Sequence, residues 1–373
     1  MSDAAREAAT LTPFDREQLE SAVLLGRRGW GGVHPNPLVG CVLVRDGVVV
    51  GEGWHEEFGG PHAETRALER AGPDADGATA YVSLEPCRHE GKTPACTRAL
   101  QASGVRRIVY GAADPGAESG GGGAELRRAG LEVSGPVFEE ERAWSENPAF
   151  FDWVGKGRTH VSLKLALSLD GAIAQGPGER TDLTGPEARR EVHRLRSGFH
   201  GILIGGETAR IDDPLLTVRD APLRRPPPVR VLVDSHLRIE TDAALFRDVA
   251  DAPLWVFCRQ DAPESRIEVL EAAGARVHPV PPDTEGSGLA LVEVLERCGV
   301  MGIESLLCEG GGRLAAALLN GGHVSRLYAL LAPLSLGLGA VPGLPHRGVI
   351  RWRAARAPQA LGSDLLLTLD RAD

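Results

Sequence analysis

The sequence contains no apolar run that approaches the length needed to cross a bilayer. Its first residues, MSDAAREAATLTP, carry neither the basic segment nor the apolar segment of an export signal. With 42% hydrophobic and 25% charged residues, the composition is typical of a soluble globular protein. We therefore expect a cytoplasmic protein that has no membrane partner.

Positive charge is also scarce, because 41 Lys and Arg residues stand against 51 Asp and Glu residues, giving a net charge of -10. Proteins bind nucleic acids largely through many Lys and Arg side chains that neutralise backbone phosphates. The charge balance therefore argues against a nucleic-acid partner. A small phosphorylated substrate would need only a few local arginines.

The six cysteines do not resemble a secreted disulfide framework, because the chain has 373 residues and no export signal. Four of them lie in apolar runs, which predicts small buried side chains, and these are Cys41, Cys258, Cys298 and Cys308. Cys87 and Cys96 differ, since both lie between a predicted strand and the helix that follows it. These two are candidates for chemistry.

The length of the chain predicts two domains, with three as the alternative. The first begins with a helix in TPFDREQLESAVLLGRRG, continues with a hairpin around Asp46-Gly47, and then alternates helix and strand. This alternation stops between Asn147 and Thr159, so we divide the chain into residues 1–152 and 153–373. Strands and helices alternate again afterwards, which predicts an α/β domain with a mainly parallel sheet. The glycine-rich run SGGGG at 119–123 predicts a mobile loop.

The segment GGPHAETRAL places His62 and Glu64 two residues apart at the start of a predicted helix. Inside a helix such residues point to nearly opposite faces, so they can meet one object only at the helix end. A histidine nitrogen and the thiolates of Cys87 and Cys96 would supply three ligands of a tetrahedral zinc site whose fourth position is open to water. Glu64 is then predicted to transfer protons beside the metal without binding it.

This pattern matches the zinc nucleobase deaminases, H-x-E followed by P-C-x-x-C, except that eight residues separate the cysteines here. Other interpretations stay open: PHAE as a capped helix start, and the cysteines as a structural zinc site or a reduced thiol pair. A deaminase that edits tRNA is disfavoured by the acidic charge and by the long second α/β domain. A non-enzymatic zinc module would leave Glu64 without a role.

With this cysteine spacing and PNPLVG ahead of the hairpin, the first half resembles the deaminase domain of the bifunctional deaminase–reductase family of riboflavin biosynthesis. The second half is similar to the reductase domain of that family through LKLALSLDG, DDPLLTVR, VLVDS and CEGGG. The resemblance implies an N-terminal cytidine-deaminase-like α/β/α sandwich, which is a zinc-dependent deaminase domain. It also implies a C-terminal dihydrofolate-reductase-like α/β domain, which is an NADPH-dependent reductase domain.

The implied function is hydrolytic deamination of 2,5-diamino-6-(5-phosphoribosylamino)pyrimidin-4(3H)-one to 5-amino-6-(5-phosphoribosylamino)uracil. NADPH-dependent reduction of the ribosyl chain to the ribityl chain follows. The implied cofactors are one Zn²⁺ per chain and NADPH, the substrate is a small phosphorylated pyrimidine, and we expect a homo-oligomer. One alternative stays open, a deaminase whose C-terminal domain binds substrate but does not transfer hydride.

The resemblance also implies individual site residues. In the first domain His62, Cys87 and Cys96 match the zinc ligands and Glu64 the catalytic proton shuttle, and the substrate site matches Asn36, His55, His89, Lys92 and Asp114. In the second domain Lys164 matches a catalytic residue that polarises the opened sugar. The other residues implied there for substrate binding are Arg180, Arg196, Leu216, Arg219 and Glu309. Those implied for NADPH binding are Ala166, Asp182, Thr208, Asp212, Ser235, Gly311, Gly312, Arg313 and Leu314.

A reading of the residues supports part of this cofactor site, because SLLCEGGGRLAAALL is a strand, a glycine-rich turn and a helix, an arrangement that can bind phosphate. Plain strand-to-helix packing would explain the glycines equally well.

The sequence also departs from the family pattern. Residues 180–183 read Arg-Thr-Asp-Leu where the family usually has Ser-x-Trp-Ile, so the aromatic side chain beside the nicotinamide is missing. Arg88 replaces a common serine and Gly116 a usual asparagine. We expect the reductase to work but to bind NADPH more weakly than a relative that carries the tryptophan.

Overall fold

The computed structural model of the protein describes residues 11–92, 94–284, 286 and 288–372. Two compact units are present, the first ending at Gly157 and the second beginning at Arg158. Residues 1–10 lie outside the described residues, and with them the start of the first predicted domain and the segment in which no export signal was expected. Residue 373, the end of the second predicted domain, also lies outside them. No helix within the described part combines the length and the apolar character needed to cross a membrane.

The first unit contains one five-stranded sheet in the order β2-β1-β3-β4-β5. Its strands are β1 (Gly40–Arg45), β2 (Val48–Trp54), β3 (Thr79–Leu84), β4 (Arg107–Ala112) and β5 (Glu132–Ser134). Its helices are α1 (Pro13–Gly26), α2 (Ala63–Ala71), α3 (Cys96–Ala102), α4 (Gly122–Arg128), α5 (Glu140–Glu146) and α6 (Pro148–Phe150). β1 is antiparallel to β2 and β3, whereas β3, β4 and β5 are parallel.

Two cores lie on opposite faces of this sheet, because successive side chains of a strand point to opposite sides. On β1, Val42 packs in the core that includes Leu19 of α1, whereas Leu43 packs in the core that includes Ala67 of α2 and Leu100 of α3. The sheet is therefore covered on both faces. The predicted α/β/α sandwich is confirmed.

The predicted hairpin at Asp46-Gly47 is also present. Arg45 pairs with Val48, so the two residues between them form the loop, with φ angles of 51° at Asp46 and 78° at Gly47. Positive φ at both positions is the requirement of the tight turn that Asp-Gly favours.

The prediction of a mobile loop at residues 119–123 is wrong. The run enters helix α4 at Gly122, and Gly120, Gly122 and Gly123 are buried. A Cβ atom on Gly122 would collide with the carbonyl oxygen of Pro86, the residue before Cys87. These glycines thus permit close packing against the segment that carries a predicted metal ligand, and the glycine composition alone could not distinguish this from flexibility.

The second unit contains a ten-stranded sheet in the order β11-β10-β9-β8-β12-β6-β13-β17-β15, with β16 paired to β17, and a separate β7–β14 pair. Its strands are β6 (His160–Leu167), β7 (Ala172–Ala174), β8 (Gly201–Gly205), β9 (Val229–Val233), β10 (Leu254–Arg259), β11 (Arg276–Val280), β12 (Ser305–Cys308), β13 (Arg326–Leu331), β14 (Val341–Pro342), β15 (Trp352–Ala354), β16 (Gln359–Leu361) and β17 (Asp364–Arg371). Its helices are α7 (Pro186–Ser197), α8 (Gly206–Asp212), α9 (Glu264–Ala272), α10 (Leu291–Val300) and α11 (Gly312–Asn320). All neighbours from β11 to β13 are parallel, and β17 is antiparallel to its neighbours, so the predicted mainly parallel sheet is confirmed.

Asp15, in the first turn of α1, joins this helix to the sheet of the first unit. Its carboxylate accepts hydrogen bonds from the Thr12 N–H (2.9 Å) and hydroxyl (2.7 Å), the Tyr81 hydroxyl (2.7 Å) and the Arg107 guanidinium (2.6 Å). Burial by itself would raise the pKa of Asp15, but the hydrogen bonds from Arg107, Thr12 and Tyr81 outweigh it and hold the pKa well below its usual range.

We expect Asp15→Asn to lower the free energy of unfolding of the first unit by about 2 kcal/mol at neutral pH, because hydrogen bonds to a charged group are lost. Because the folded-state pKa is depressed, this stabilisation is present above the ordinary value of 3.8 and is lost as the pH falls below it. Denaturant titration of both proteins from neutral pH towards about pH 3 measures the difference in stability, which should shrink on acidification. A difference that does not change with pH would contradict the ionic role.

Candidate active sites

The first candidate site lies where α2 and α3 begin. His62 is the residue before α2, with an extended backbone (φ -72°, ψ 166°), and Glu64 lies in the first turn of that helix. Cys87 follows the end of β3, and Cys96 is the first residue of α3. The helix start therefore lets His62 and Glu64 approach the same place, as the sequence predicted.

The ligand atoms of His62, Cys87 and Cys96 all lie within 4.8 Å of one another. His62 Nδ1 is 3.3 Å from Cys96 Sγ and 3.5 Å from Cys87 Sγ, and the Cys96 N–H donates to Cys87 Sγ at 3.4 Å. Because Nδ1 faces both sulfurs, it is the histidine nitrogen available to a metal. One nitrogen and two sulfurs form the donor set that zinc prefers, so these residues fit a zinc ion.

The Glu64 side chain is 3% exposed and interacts with the Cys96 sulfur. Burial raises the pKa of Glu64 to about 7, and the negative charge of Cys87 acts in the same direction. The carboxyl group is therefore shielded from bulk water and lies beside the side chains of the three candidate metal ligands.

Asn36 and His55 form a hydrogen-bonded pair beside these residues. His55 Nδ1 lies 3.1 Å from the carbonyl oxygen of Pro61, which can only accept, so this nitrogen carries the proton. Burial lowers the pKa of His55, and the neutral ring then accepts at Nε2 from Asn36 Nδ2 at 3.0 Å. Within the described part of the chain the Asn36 carbonyl and its second N–H have no partner, so they remain for a ligand. The His55 ring also packs edge-on against His62, with 5.2 Å between ring centroids.

The other three residues predicted to bind the pyrimidine phosphate lie on loops of the first unit. Among the described atoms, His89 Nδ1 is buried without a hydrogen-bond partner, and Lys92 Nζ lies 3.9 Å from the ring centroid of Phe58. Asp114 follows β4, and its carboxylate accepts the Gly116 N–H at 2.8 Å. Because β3 and β4 are parallel neighbours, the segments of Cys87 and Asp114 leave the same edge of the sheet.

Sequence reasoning missed Glu85. This buried carboxylate accepts the Asp114 N–H at 3.2 Å through Oε2 and the Gly123 N–H at 2.9 Å through Oε1. It therefore ties the segment of Asp114 and the start of α4 to the strand that leads to Cys87. The Glu-Pro-Cys sequence could have indicated this role, because it places an acidic residue directly after a buried strand and two residues before a predicted metal ligand.

The second candidate site lies where β12 ends beside β6, in the middle of the large sheet, and contains Lys164, Arg196 and Glu309. Arg196 donates two hydrogen bonds to the Glu309 carboxylate, at 2.6 Å and 3.0 Å, and Lys164 Nζ is 3.8 Å from Glu309 Oε2. Burial lowers the pKa of Lys164, against the opposing effect of Glu309. Burial would raise the pKa of Glu309, but the charges of Arg196 and Lys164 outweigh it and lower the pKa. The predicted residues thus form one buried ionic network.

Most of the residues predicted to bind NADPH surround the start of α11. Gly311 precedes this helix, and its N–H donates to Thr208 Oγ1 of α8 at 2.9 Å. Leu314 is buried, whereas Arg313 is 90% exposed and lies 3.4 Å from Glu207. Glycines at 310–312 carry no side chains of their own, so a ligand can approach the backbone at this helix end closely, which fits the phosphates of a dinucleotide.

The remaining predicted residues lie on neighbouring segments of the same unit. Ala166 lies on β6, Asp212 ends α8 and Ser235 follows β9, and burial raises the pKa of Asp212. In the segment that departs from the family pattern, Arg180 lies 3.3 Å from Asp182, and both side chains are largely exposed. The two charges therefore pair with each other, although an exposed pair of this kind stabilises the protein little.

Comparison with known proteins relates both units to described families. Residues 13–112 match the family model of the cytidine and deoxycytidylate deaminase zinc-binding region, and residues 159–367 match that of the RibD C-terminal domain. The riboflavin biosynthesis protein RibD of Aquifex aeolicus is 36% identical over 362 residues, which cover 96% of this chain and 99% of that protein.

Solved structures give the same result. A structure of Acinetobacter baumannii RibD superposes with a TM-score of 0.80 at 31% identity, covering 96% of this chain and 99% of that one. A Thermotoga maritima structure described as a diaminohydroxyphosphoribosylaminopyrimidine deaminase/5-amino-6-(5-phosphoribosylamino)uracil reductase gives 0.77 at 29% identity with the same coverage. Fold and matches together define a two-domain enzyme in which a cytidine-deaminase-like domain precedes a reductase domain. The chain belongs to the RibD family of riboflavin biosynthesis.

Proposed function

We propose that the chain catalyses two successive steps of riboflavin biosynthesis, with Zn²⁺ and NADPH as cofactors. The first unit deaminates the diaminopyrimidine ribosyl phosphate, and the second reduces the ribosyl chain of the deaminated product. The observation that carries the proposal is the convergence of His62, Cys87 and Cys96 beside the buried Glu64. The alternative without hydride transfer is not favoured, because the RibD C-terminal domain match covers residues 159–367.

In the deaminase site, His62, Cys87 and Cys96 would hold the zinc ion. When bound, zinc supplies an activated water for attack on the pyrimidine ring. Glu64 accepts a proton at its carboxylate and returns it to the amino group that leaves as ammonia. Asn36 is held by His55, and its carbonyl and second N–H have no partner among the described residues, so it can orient the pyrimidine edge. Lys92 offers a positive charge to the substrate phosphate.

In the reductase site, the turn that includes Gly311 and Gly312 would hold the NADPH phosphates, and NADPH supplies the hydride when bound. Lys164 donates a hydrogen bond and then a proton from Nζ to the carbonyl oxygen of the opened sugar. Glu309 fixes the position of Lys164 and is itself held by Arg196. Arg219 is suited to the sugar phosphate, because a guanidinium group binds phosphate with two parallel hydrogen bonds. Arg196, which was also predicted to bind substrate, instead donates to Glu309 and to the Thr217 carbonyl oxygen.

The direct test uses the full chain and the diaminopyrimidine phosphate, with ammonia release and NADPH oxidation followed separately. We expect ammonia without NADPH, and NADPH oxidation only after deamination or when the deaminated pyrimidine is supplied. Ammonia release without NADPH oxidation under either condition would reject the reductase half.

That the chain forms a homo-oligomer stays a prediction. Sedimentation of the purified protein measures its oligomeric state.

We expect the purified protein to contain about one zinc per chain and Cys87→Ser to lose most of it, because a serine hydroxyl replaces one of the two thiolates. Metal analysis by mass spectrometry measures the content. Cys258→Ser is the matched control, because Cys258 is buried in the core of the second unit. Equal zinc in the wild-type protein and in Cys87→Ser would show that Cys87 is not a ligand.

A further inference from the structure

Residues 213–220 of the second unit have a strained backbone. Of the six non-glycine residues with positive φ in the described part of the chain, this segment contains three, namely Asp213 (40°), Leu216 (50°) and Asp220 (55°). Aspartate tolerates this conformation, but leucine rarely adopts it, because its Cβ atom crowds the backbone. Such strain persists only where surrounding contacts impose it, and it is concentrated at functional sites.

Helix α7 supplies contacts that impose this shape. His193 and Arg196 are three residues apart on α7, so they lie on the same face of the helix. Arg196 donates to the carbonyl oxygen of Thr217 at 3.0 Å, and His193 Nδ1 accepts the backbone N–H of Arg219 at 3.1 Å. Both bonds therefore act on the three residues that follow the strained Leu216.

The state of the His193 ring suits this bond. His193 is 9% exposed, and burial, followed by the charges of Arg196 and Arg219, lowers its pKa. A neutral imidazole accepts at one nitrogen and donates at the other, so acceptance at Nδ1 places the proton on Nε2. Arg196 also binds Glu309, which links the same helix face to Lys164.

We propose that His193 is a positioning residue of the reductase site, which holds the strained 213–220 segment in the shape that presents the exposed Arg219 to the phosphorylated sugar. The proposal rests on the reductase function proposed above. His193 acts only through the Arg219 backbone and does not touch the reacting atoms. Without this acceptor, the Arg219 N–H would lose its partner and the segment could relax away from its strained shape.

Two isosteric variants test the role of the Nδ1 position. In His193→Asn the side-chain oxygen can occupy the place of Nδ1, whereas in His193→Gln it reaches the place of Nε2. We expect His193→Gln to raise the KM for 5-amino-6-(5-phosphoribosylamino)uracil about tenfold, which corresponds to the loss of one partly buried hydrogen bond. The reductase kcat should change less than about twofold, because binding rather than chemistry is affected. His193→Asn should restore KM to within about threefold of the wild-type value.

Hydrogen exchange provides a readout that does not depend on activity. In the full chain, amides of residues 214–220 should exchange faster in His193→Gln than in His193→Asn or the wild-type protein. Deamination by the same samples reports on the fold of the first unit and should not change. Equal KM and equal exchange in the two variants would overturn the proposal. Failure of the wild-type protein to oxidise NADPH would instead reject the reductase function, and the exchange comparison would still test the His193 contact.

Discussion

Replacing Glu64 by glutamine is expected to reduce deamination by about 10²- to 10⁴-fold, the usual contribution of a general acid–base group. Glutamine keeps the size of the side chain but cannot take up the proton. The measurement is ammonia release from the diaminopyrimidine phosphate by the full chain. NADPH oxidation with the deaminated pyrimidine should continue at the wild-type rate, because Glu64 belongs to the first unit only.

A control on the same helix separates this effect from a general loss of structure. Glu69 also lies on α2, but its side chain is 52% exposed and pairs with Arg66 at the surface. Glu69→Gln should therefore deaminate normally. Glu64→Gln should retain zinc, since glutamate is not among the three residues expected to bind it. Near-normal ammonia release from Glu64→Gln would reject the proton-transfer role, whereas lost zinc would point to a ligand role.

The arrangement of His62, Glu64, Cys87 and Cys96 could be predicted because a known zinc motif associates these residue types and local sequence places each of them at the end of an element. Each of these residues lies at or near the end of a helix or strand, and the ends can be located from a Gly-Gly-Pro break, a β-branched run and a following helical run. In the structure the three ligand atoms lie within 4.8 Å of one another. Parallel packing of β3 and β4 then brings further loops to the same edge of the sheet.

Elements that depend on their tertiary surroundings were missed. Residues 206–212 form α8, although the sequence from Gly205 to Pro214 has the glycine, aspartate and proline residues that are typical of turns. Residues 276–280 form β11, although Pro279 lacks the N–H that a central strand needs. The strand is possible because it lies at the edge of the sheet and pairs only with β10.

The supporting contacts of both sites could not be predicted, because they join residues far apart in sequence. Glu85 accepts hydrogen bonds from residues 29 and 38 positions later, and His193 from one 26 positions later. No periodicity or short motif indicates such a pairing. The residues predicted through the family resemblance are mainly those expected to meet ligands, while the residues that hold the loops in place emerge only from the folded chain.

Replacing Lys164 by methionine is expected to reduce NADPH-dependent reduction at least about 100-fold, because the proton donor to the opened sugar is removed. Methionine approximates the length of the aliphatic part of lysine, and Glu309 keeps its two hydrogen bonds from Arg196 at 2.6 Å and 3.0 Å. The loss of Lys164 therefore leaves no unpaired buried carboxylate, and the variant should fold. Deamination in the same sample should be unchanged, and circular dichroism should show a native melting transition.

Lys164→Arg distinguishes proton donation from simple charge. Arginine keeps the positive charge beside Glu309 but cannot release a proton at accessible pH. If Lys164 donates a proton, both variants lose reduction. The wild-type rate should then fall as the pH rises, and the fall should begin below pH 10.5, the ordinary lysine pKa, because burial lowers the pKa of Lys164. The measurement is single-turnover NADPH oxidation across pH with the deaminated pyrimidine at saturation. Near-wild-type reduction by Lys164→Arg would reject the proton donor and leave Lys164 with an electrostatic role alone.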